Sequence, residues 1–280
     1  MAQLAENTYG KSRVRLVKVR RSAQGHEISD WNIDIVFEGD YESCFVSGDN
    51  SKILPTDTMK NSVYSLARDS AADCIEGFAK ELVDHFLGSA IAATKVRVEI
   101  SEKKWQHVEV DGIAHPATFQ QRDLDRHTTV VTRCRGGQFD VVSGLKNLVI
   151  MKTANSAFEG YIKDRLTTLP ESSDRLFGTE VTATWNYRGS DLAFAELRAT
   201  VKGILLSTFA EHRSLSVQHT LYAMGGAVLA AVTDVDEITL SMPNRHCLLV
   251  NLAPFGQDNP NEIFVPTDEP HGSIEARIVR

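Results

Sequence analysis

Twice along the chain the spacing of apolar residues changes from every second position to one face of a helix and then back, and that order constrains the fold most tightly. Trp31, Ile33, Ile35 and Phe37 alternate with polar neighbours, as a strand with one buried face requires. Between Lys60 and Phe86 the period lengthens. Ile75, Phe78, Ala79, Leu82, Val83 and Phe86 then share one helical face, which Gly88 is placed to close. Strand spacing returns at residues 95–100, 105–110 and 128–132. The second half follows the same order. Residues 139–142, 148–151 and 181–187 read as strands, and two helical faces come next. The first carries Phe194, Leu197, Val201, Ile204 and Leu205 behind Asp191 as a candidate cap; the second carries Val217, Leu221, Val228 and Leu229 behind Ser214. Strands resume at 238–242 and 247–250. The repeat lies in the order of elements and not in residue identity. It predicts an α+β chain of two units, residues 1–136 and 137–280, each an antiparallel sheet with helices on one face. The other face of each sheet is left for solvent, a barrel lumen or a subunit interface.

The first strand has an irregular pattern. Arg13 and Arg15 alternate with Val14 and Leu16, but at Val17 and Val19 the apolar residues change parity, which requires either a bulge or cover on both faces.

Composition removes several classes of function. A chain of 280 residues with 42% hydrophobic and 24% charged residues is that of a folded protein with room for two cores. The net charge of −7, with no basic run beyond Lys18–Arg21, argues against nucleic acid as the main partner, and that run reads as a solvated strand end. No apolar stretch approaches the roughly 18 residues of a membrane span. The N-terminal residues lack the features of a secretory signal, which predicts a cytoplasmic, reducing location. Cys44, Cys74, Cys134 and Cys247 are scattered and signal neither disulfides nor a thiolate metal site. His107, His115 and His127 fit a hairpin better than a ligand set.

The stretch Pro55-Thr56-Asp57-Thr58-Met59-Lys60-Asn61 brings a hydroxyl and a carboxylate to the mouth of a helix. Thr56 or Asp57 there reads as an ordinary N-cap, but the mouth also suits an anion or a polar heteroatom. Further polar groups lie in irregular segments. Lys11 precedes the first strand; Phe158 offers a core plug or a flat stacking surface; Arg175 carries a planar fork that suits a flat anion, or an ion pair with Asp174 or Glu171. Gln218 falls on a helix where exposure is the default, and Asn244 and His246 follow a strand. A histidine with a near-neutral pKa suits proton transfer as well as structure.

Taken in order, Tyr9-Gly10-Lys11, T-D-T-x-K-N at 56–61, N-S-x-F-x-G at 155–160, T-T-L-x-E-x-x-D-R at 167–175, Ser216-Val217-Gln218 and Pro243-Asn244-Arg245-His246 resemble the urate oxidase (uricase) family. The Gly256–Glu262 segment is similar to its bacterial members, while Arg245 and Tyr161 stand where the family usually has Lys and Phe. The resemblance implies tandem tunnelling-fold (T-fold) units in a homotetramer that encloses a barrel. It also implies oxidation of urate by O₂ to 5-hydroxyisourate and hydrogen peroxide, with no metal and no organic cofactor. By position it makes Lys11, Thr56 and His246 the proton relay. Arg175 and Gln218 would grip the purine edge, Phe158 would stack on the ring, and Leu169 and Val217 would line the pocket. Asn244 would hold O₂ or water, and Asp57 would support the Thr56 side. The Lys11 and Thr56 stretches would face a neighbouring subunit's Phe158 and Arg175. The terminal Ile278-Val279-Arg280 lacks the Ser-Lys-Leu peroxisomal address, in keeping with a cytoplasmic enzyme. The competing readings are another T-fold enzyme acting on a purine or pterin, and a non-catalytic purine-binding scaffold.

Overall fold

The strands run longer than the spacing of apolar residues alone predicts. The computed structural model describes residues 2–121 and 124–280. In chain order the elements are β1 (Tyr9–Ser22), β2 (Gly25–Gly39), α1 (Glu42–Ser47), α2 (Thr56–Asp69), α3 (Ile75–Ser89), β3 (Ala93–Lys103), β4 (Gln106–Val110), β5 (Ile113–Gln120) and β6 (Arg126–Cys134). They continue with β7 (Phe139–Lys152), β8 (Phe177–Tyr187), α4 (Phe194–Glu211), α5 (Val217–Ala231), β9 (Val235–Ser241), β10 (Asn244–Leu249), β11 (Phe264–Gly272) and β12 (Glu275–Val279). The class is α+β with antiparallel pairing. Packing divides the chain into Met1–Gly144 with Asn186–Glu196, and Leu145–Trp185 with Leu197–Arg280.

In the first unit β1, β2, β3 and β6 follow one another as antiparallel neighbours. The register sets Ile33 opposite Ile100, Ile35 opposite Val98 and Phe37 opposite Val96, so these residues share a face, and none is exposed. Helix α3 lies on β3 and β6 and brings Phe78, Leu82 and Phe86 to that face, with Trp31 stacked on Phe78 at 5.0 Å. Each such side chain removed from water contributes about 1.5–3 kcal/mol, which fixes the helix over the sheet. Helix α2 packs along β1, and this brings its first turn close to the start of that strand.

The helical stretch predicted between Lys60 and Phe86 is two helices. Ser70 leaves helical geometry at φ −58°, ψ 132°, and its hydroxyl accepts the Ala72 N–H at 3.1 Å, a local turn that competes with helix propagation. The carbonyls freed at the break are taken by the basic run. Lys18 Nζ donates to Ser70 O at 2.7 Å and Arg20 donates to Ala72 O, so Lys18 and Arg20 clamp the helix junction and are not a solvated strand end. Gly88 lies inside α3, whose C-cap is Ala90. At the parity change expected at Val17 the register runs unbroken and Val17 is exposed, so there is neither a bulge nor cover there; the bulge in β1 lies earlier, between Lys11 and Val14, with Arg13 at φ 58°.

In the second unit β10 pairs antiparallel with β8 and β11, and β9 pairs antiparallel with β12. Helix α5 packs on β9 and β12 at close range: a Cβ on Gly225 would meet Ile278 at 2.7 Å and Ile238 at 3.3 Å. The strands expected at 139–142 and 148–151 are one strand, β7, because Asn147 takes up the irregularity at φ 61°. Asp191 stands before α4 without reaching its first turn, and Ser216, not Ser214, caps α5 by accepting the His219 N–H at 3.1 Å. Among the described residues no helix is long and apolar enough to cross a membrane.

Candidate active site

Three of the predicted site residues gather in the first unit. The bulge in β1 sets both Lys11 and Val14 opposite core-facing residues, Ile35 and Ile33, so Lys11 lies on the side of the sheet that carries the helices. Thr56 is the first residue of α2. The helix is entered through Pro55 at φ −56°, ψ 138°, with no side-chain cap, so neither Thr56 nor Asp57 is the N-cap. Proline at this place supplies a fixed φ and needs no N–H partner. The half-buried Thr56 hydroxyl is therefore not consumed by capping, and among the described residues it has no hydrogen-bond partner.

Asp57 is held by its own helix. Its carboxylate accepts Lys60 Nζ at 2.5 Å and Asn61 Nδ2 at 3.0 Å, which accounts for the spacing in T-D-T-x-K-N, since i+3 and i+4 lie on one helical face. The Lys60 ammonium, with a smaller contribution from Lys11, holds the Asp57 carboxyl below the usual range. Lys11 feels that charge without pairing to it. Among the described residues its half-buried ammonium makes no hydrogen bond and no ion pair.

The other seven residues lie in the second unit, where one short segment gathers most of them. Residues 155–158 are joined on one side to 172–175: Arg175 N–H donates to Ser156 O at 2.7 Å, Phe158 N–H donates to Ser172 O at 2.7 Å, and Ser172 N–H returns a bond to Phe158 O at 3.1 Å. On the other side Ala157 N–H donates to Ser214 O at 2.8 Å and Ser214 N–H to Asn155 O at 2.9 Å. Asp174 Oδ1 accepts the Ser156 N–H at 3.1 Å. This lacing fixes Phe158 and Arg175 beside the start of α5, which carries buried Val217 and exposed Gln218.

The Arg175 guanidinium carbon lies 5.1 Å from the centre of the Phe158 ring, a cation–π distance. Its Nε is buried and has no partner, and burial pulls the guanidinium below its ordinary pKa. It forms no ion pair with Asp174 or Glu171, whose carboxylates serve Ser156, Gly160 and Lys163. Tyr161 stacks on Phe158 at 4.8 Å and its hydroxyl donates to Leu169 O, which ties the exposed Leu169 to the aromatic pair. Asn244 sits opposite Thr179 on β8, shortly after Arg175 in the chain, and Asn244 Nδ2 lies 3.5 Å from His246 Nδ1 across a bulge in β10. Arg245, between them, turns to Glu180.

Each unit thus holds part of the predicted set: a free hydroxyl with a free ammonium in one, and a guanidinium, an aromatic face, a carboxamide and an Asn–His pair in the other. Such groups suit a planar anion and movement of its protons. Sequence reasoning missed Ser156, Ser172 and Ser214, because the bonds that lace the segments together are main-chain bonds that leave no mark on residue type; the Ser172 and Ser214 hydroxyls add only local bonds, to Asp174 O at 2.8 Å and Ser216 O at 3.0 Å. His107 Nδ1 meets the His115 carbonyl at 2.7 Å across the β4–β5 hairpin, as that reading expected. His127 lies 3.6 Å from Glu102. Among the described residues no three His, Cys, Asp or Glu side chains are grouped so as to hold a metal ion.

The chain matches the Uricase family model over residues 7–132 and 141–275. It is 41% identical over 277 residues to a uricase of Arthrobacter globiformis, spanning 99% of this chain and 90% of that protein. It is 35% identical over 282 residues to a uricase of Dictyostelium discoideum, spanning 100% and 98%. The crystal structure of uricase from Arthrobacter globiformis superposes with a TM-score of 0.94 at 40% identity, covering 100% of this chain and 96% of that one. A crystal structure of Bacillus sp. TB-90 urate oxidase, at 22% identity and a TM-score of 0.85, covers 98% of this chain and 100% of its own, and shares the fold.

Proposed function

The chain belongs to the uricase family and its activity is that of a urate oxidase, an oxidoreductase; from that premise we propose how its residues divide the reaction. Urate, O₂ and water become 5-hydroxyisourate and hydrogen peroxide. The purine loses two electrons to O₂, water supplies the new hydroxyl on its C5, and the displaced protons leave on peroxide.

Arg175 and Gln218 hold the edge of the ring, because a fork of N–H donors beside a carboxamide matches adjacent acceptors and donors on a planar anion. Phe158 covers the ring face, and Leu169 and Val217 close the sides. Thr56 exchanges a proton with urate and passes it through Lys11 and His246. A hydroxyl is a weak base alone, but a neighbouring ammonium and imidazole move its proton and stabilise the electron-rich purine dianion that reduces O₂. Asn244 positions O₂ or water, and Asp57 holds the Thr56 turn. The substrate supplies the electrons, so the reaction takes place without metal or organic cofactor.

The observation that carries this reading is Arg175: a half-buried guanidinium over an aromatic ring, with a buried N–H that no protein group satisfies. Burying such a donor unpaired costs about 1–3 kcal/mol, and an anionic ligand removes that cost.

We further propose that each unit is a T-fold and that four chains enclose a barrel. In that assembly the Lys11–Thr56 half of each site faces the partner subunit's Arg175 and the partner subunit's Phe158. Exposed Ile162, Leu166, Leu248, Leu249, Val265 and Phe255 support burial by a neighbour. Oxygen uptake on adding urate in a strong metal chelator tests the chemistry. Uptake should persist with one peroxide formed per O₂; uptake lost to the chelator and restored by a metal would refute the cofactor-free reading.

A further inference from the structure

The proposed relay needs the Thr56 hydroxyl and the Lys11 ammonium at a fixed separation, yet they belong to different elements, and α2 is entered from a loop that follows α1. One side chain spans that gap. The Tyr9 hydroxyl accepts the Leu54 N–H at 3.0 Å, and among the described residues that N–H has no other partner. We propose that Tyr9 is a positioning residue for urate oxidation, holding Thr56 in place relative to Lys11 from two residues along the same strand. This deepens the reading of Lys11 and Thr56 as reacting groups and rests on it.

Both ends of the link are rigid. Tyr9 stands opposite Phe37 and Lys11 opposite Ile35, so the two side chains leave β1 on the same face. Between them, a Cβ on Gly10 would sit 1.8 Å from the Ile35 carbonyl oxygen; only glycine lets β1 approach β2 this closely. The Tyr9 ring is set edge-on against Phe37, with centres 5.6 Å apart, and against Tyr41, with centres 4.7 Å apart. Burial raises the pKa of both phenols, with the Tyr9 neighbour adding to the rise at Tyr41, so Tyr9 remains a neutral acceptor.

At the far end only Pro55 separates Leu54 from Thr56, and the proline ring fixes its own φ at −56°. The Pro55 carbonyl takes the Met59 N–H at 3.1 Å, and Met59 is fully buried. From the phenol oxygen to Thr56 there is little freedom for the chain to absorb.

Tyr9→Phe removes the acceptor and keeps the ring packing. It should lower kcat roughly tenfold, as a small misplacement of reacting groups does, with KM within about twofold. Hydrogen exchange of the segment containing Leu54 should quicken. Tyr64→Phe, which changes an exposed phenol of α2 that makes no hydrogen bond among the described residues, should leave kcat and that exchange unchanged. In a Thr56→Val background, Tyr9→Phe should cause no further loss of turnover. A Tyr9→Phe enzyme with kcat within about twofold of the parent, a loss without faster exchange, or a further loss in the Thr56→Val background would each overturn the proposal. Thr56→Val retaining full turnover would instead remove the site reading, and the proposal with it.

Discussion

Arg175 and Lys11 are both half-buried cations without a carboxylate partner, yet the proposed reaction needs them for different reasons. In the proposed role Arg175 holds the substrate in ground and transition states alike, so Arg175→Ala should raise KM by roughly 10- to 100-fold, the worth of a charge-assisted fork. Its effect on kcat should be smaller. The proposed role of Lys11 is to act on protons in flight, so Lys11→Met should lower kcat by about a hundredfold or more with a modest change in KM. Steady-state kinetics separate the two, and an interchange of these effects would invert the assignment. At this scale the sequence was informative about chemistry and silent about support. Arg, Phe, Gln, Asn and His announce what they can do by type, whereas Ser156 joins the neighbouring segments through main-chain groups that any residue possesses.

The bulge in β1 is the element on which the first half of the site depends. Strict alternation would put Lys11 and Val14 on opposite faces; the extra residue lets both face the helices, where the charge of the ammonium is felt by Asp57 in the first turn of α2. Arg13 takes up the extra residue at φ 58° and donates its N–H to Asp34 at 2.9 Å. Arg13→Val should therefore cost about 1–2 kcal/mol and lower turnover, because a β-branched side chain resists this backbone geometry. Arg13→Gly should retain both stability and activity. Thermal melts with kcat measured on both variants check this, and equal behaviour of valine and glycine would contradict it. The bulge was not legible in the sequence: the change of parity at Val17 and Val19 pointed to a later place, where the register runs unbroken and Val17 is exposed. The helix break at Ser70 was hidden for a similar reason. Apolar spacing carries across it, and the break is made by a hydroxyl and by Lys18 and Arg20 reaching from β1.

For the whole molecule the central claim is that the reacting groups meet across a boundary between chains. Apolar patterning made the order of elements legible, since burial imposes it on residue type. Assembly leaves a weaker mark, because exposed apolar residues such as Leu248 and Val265 look like ordinary strand residues until the uncovered face is seen. The most direct test is to coexpress the Lys11→Met and Arg175→Ala chains and assay the hybrid assemblies purified through two different tags. Each variant alone is predicted to be impaired. In a random hybrid, about one quarter of shared sites combine the intact Lys11 of one chain with the intact Arg175 of the other, and turnover should recover to about that fraction. Hybrids no more active than the two parent variants would contradict the account.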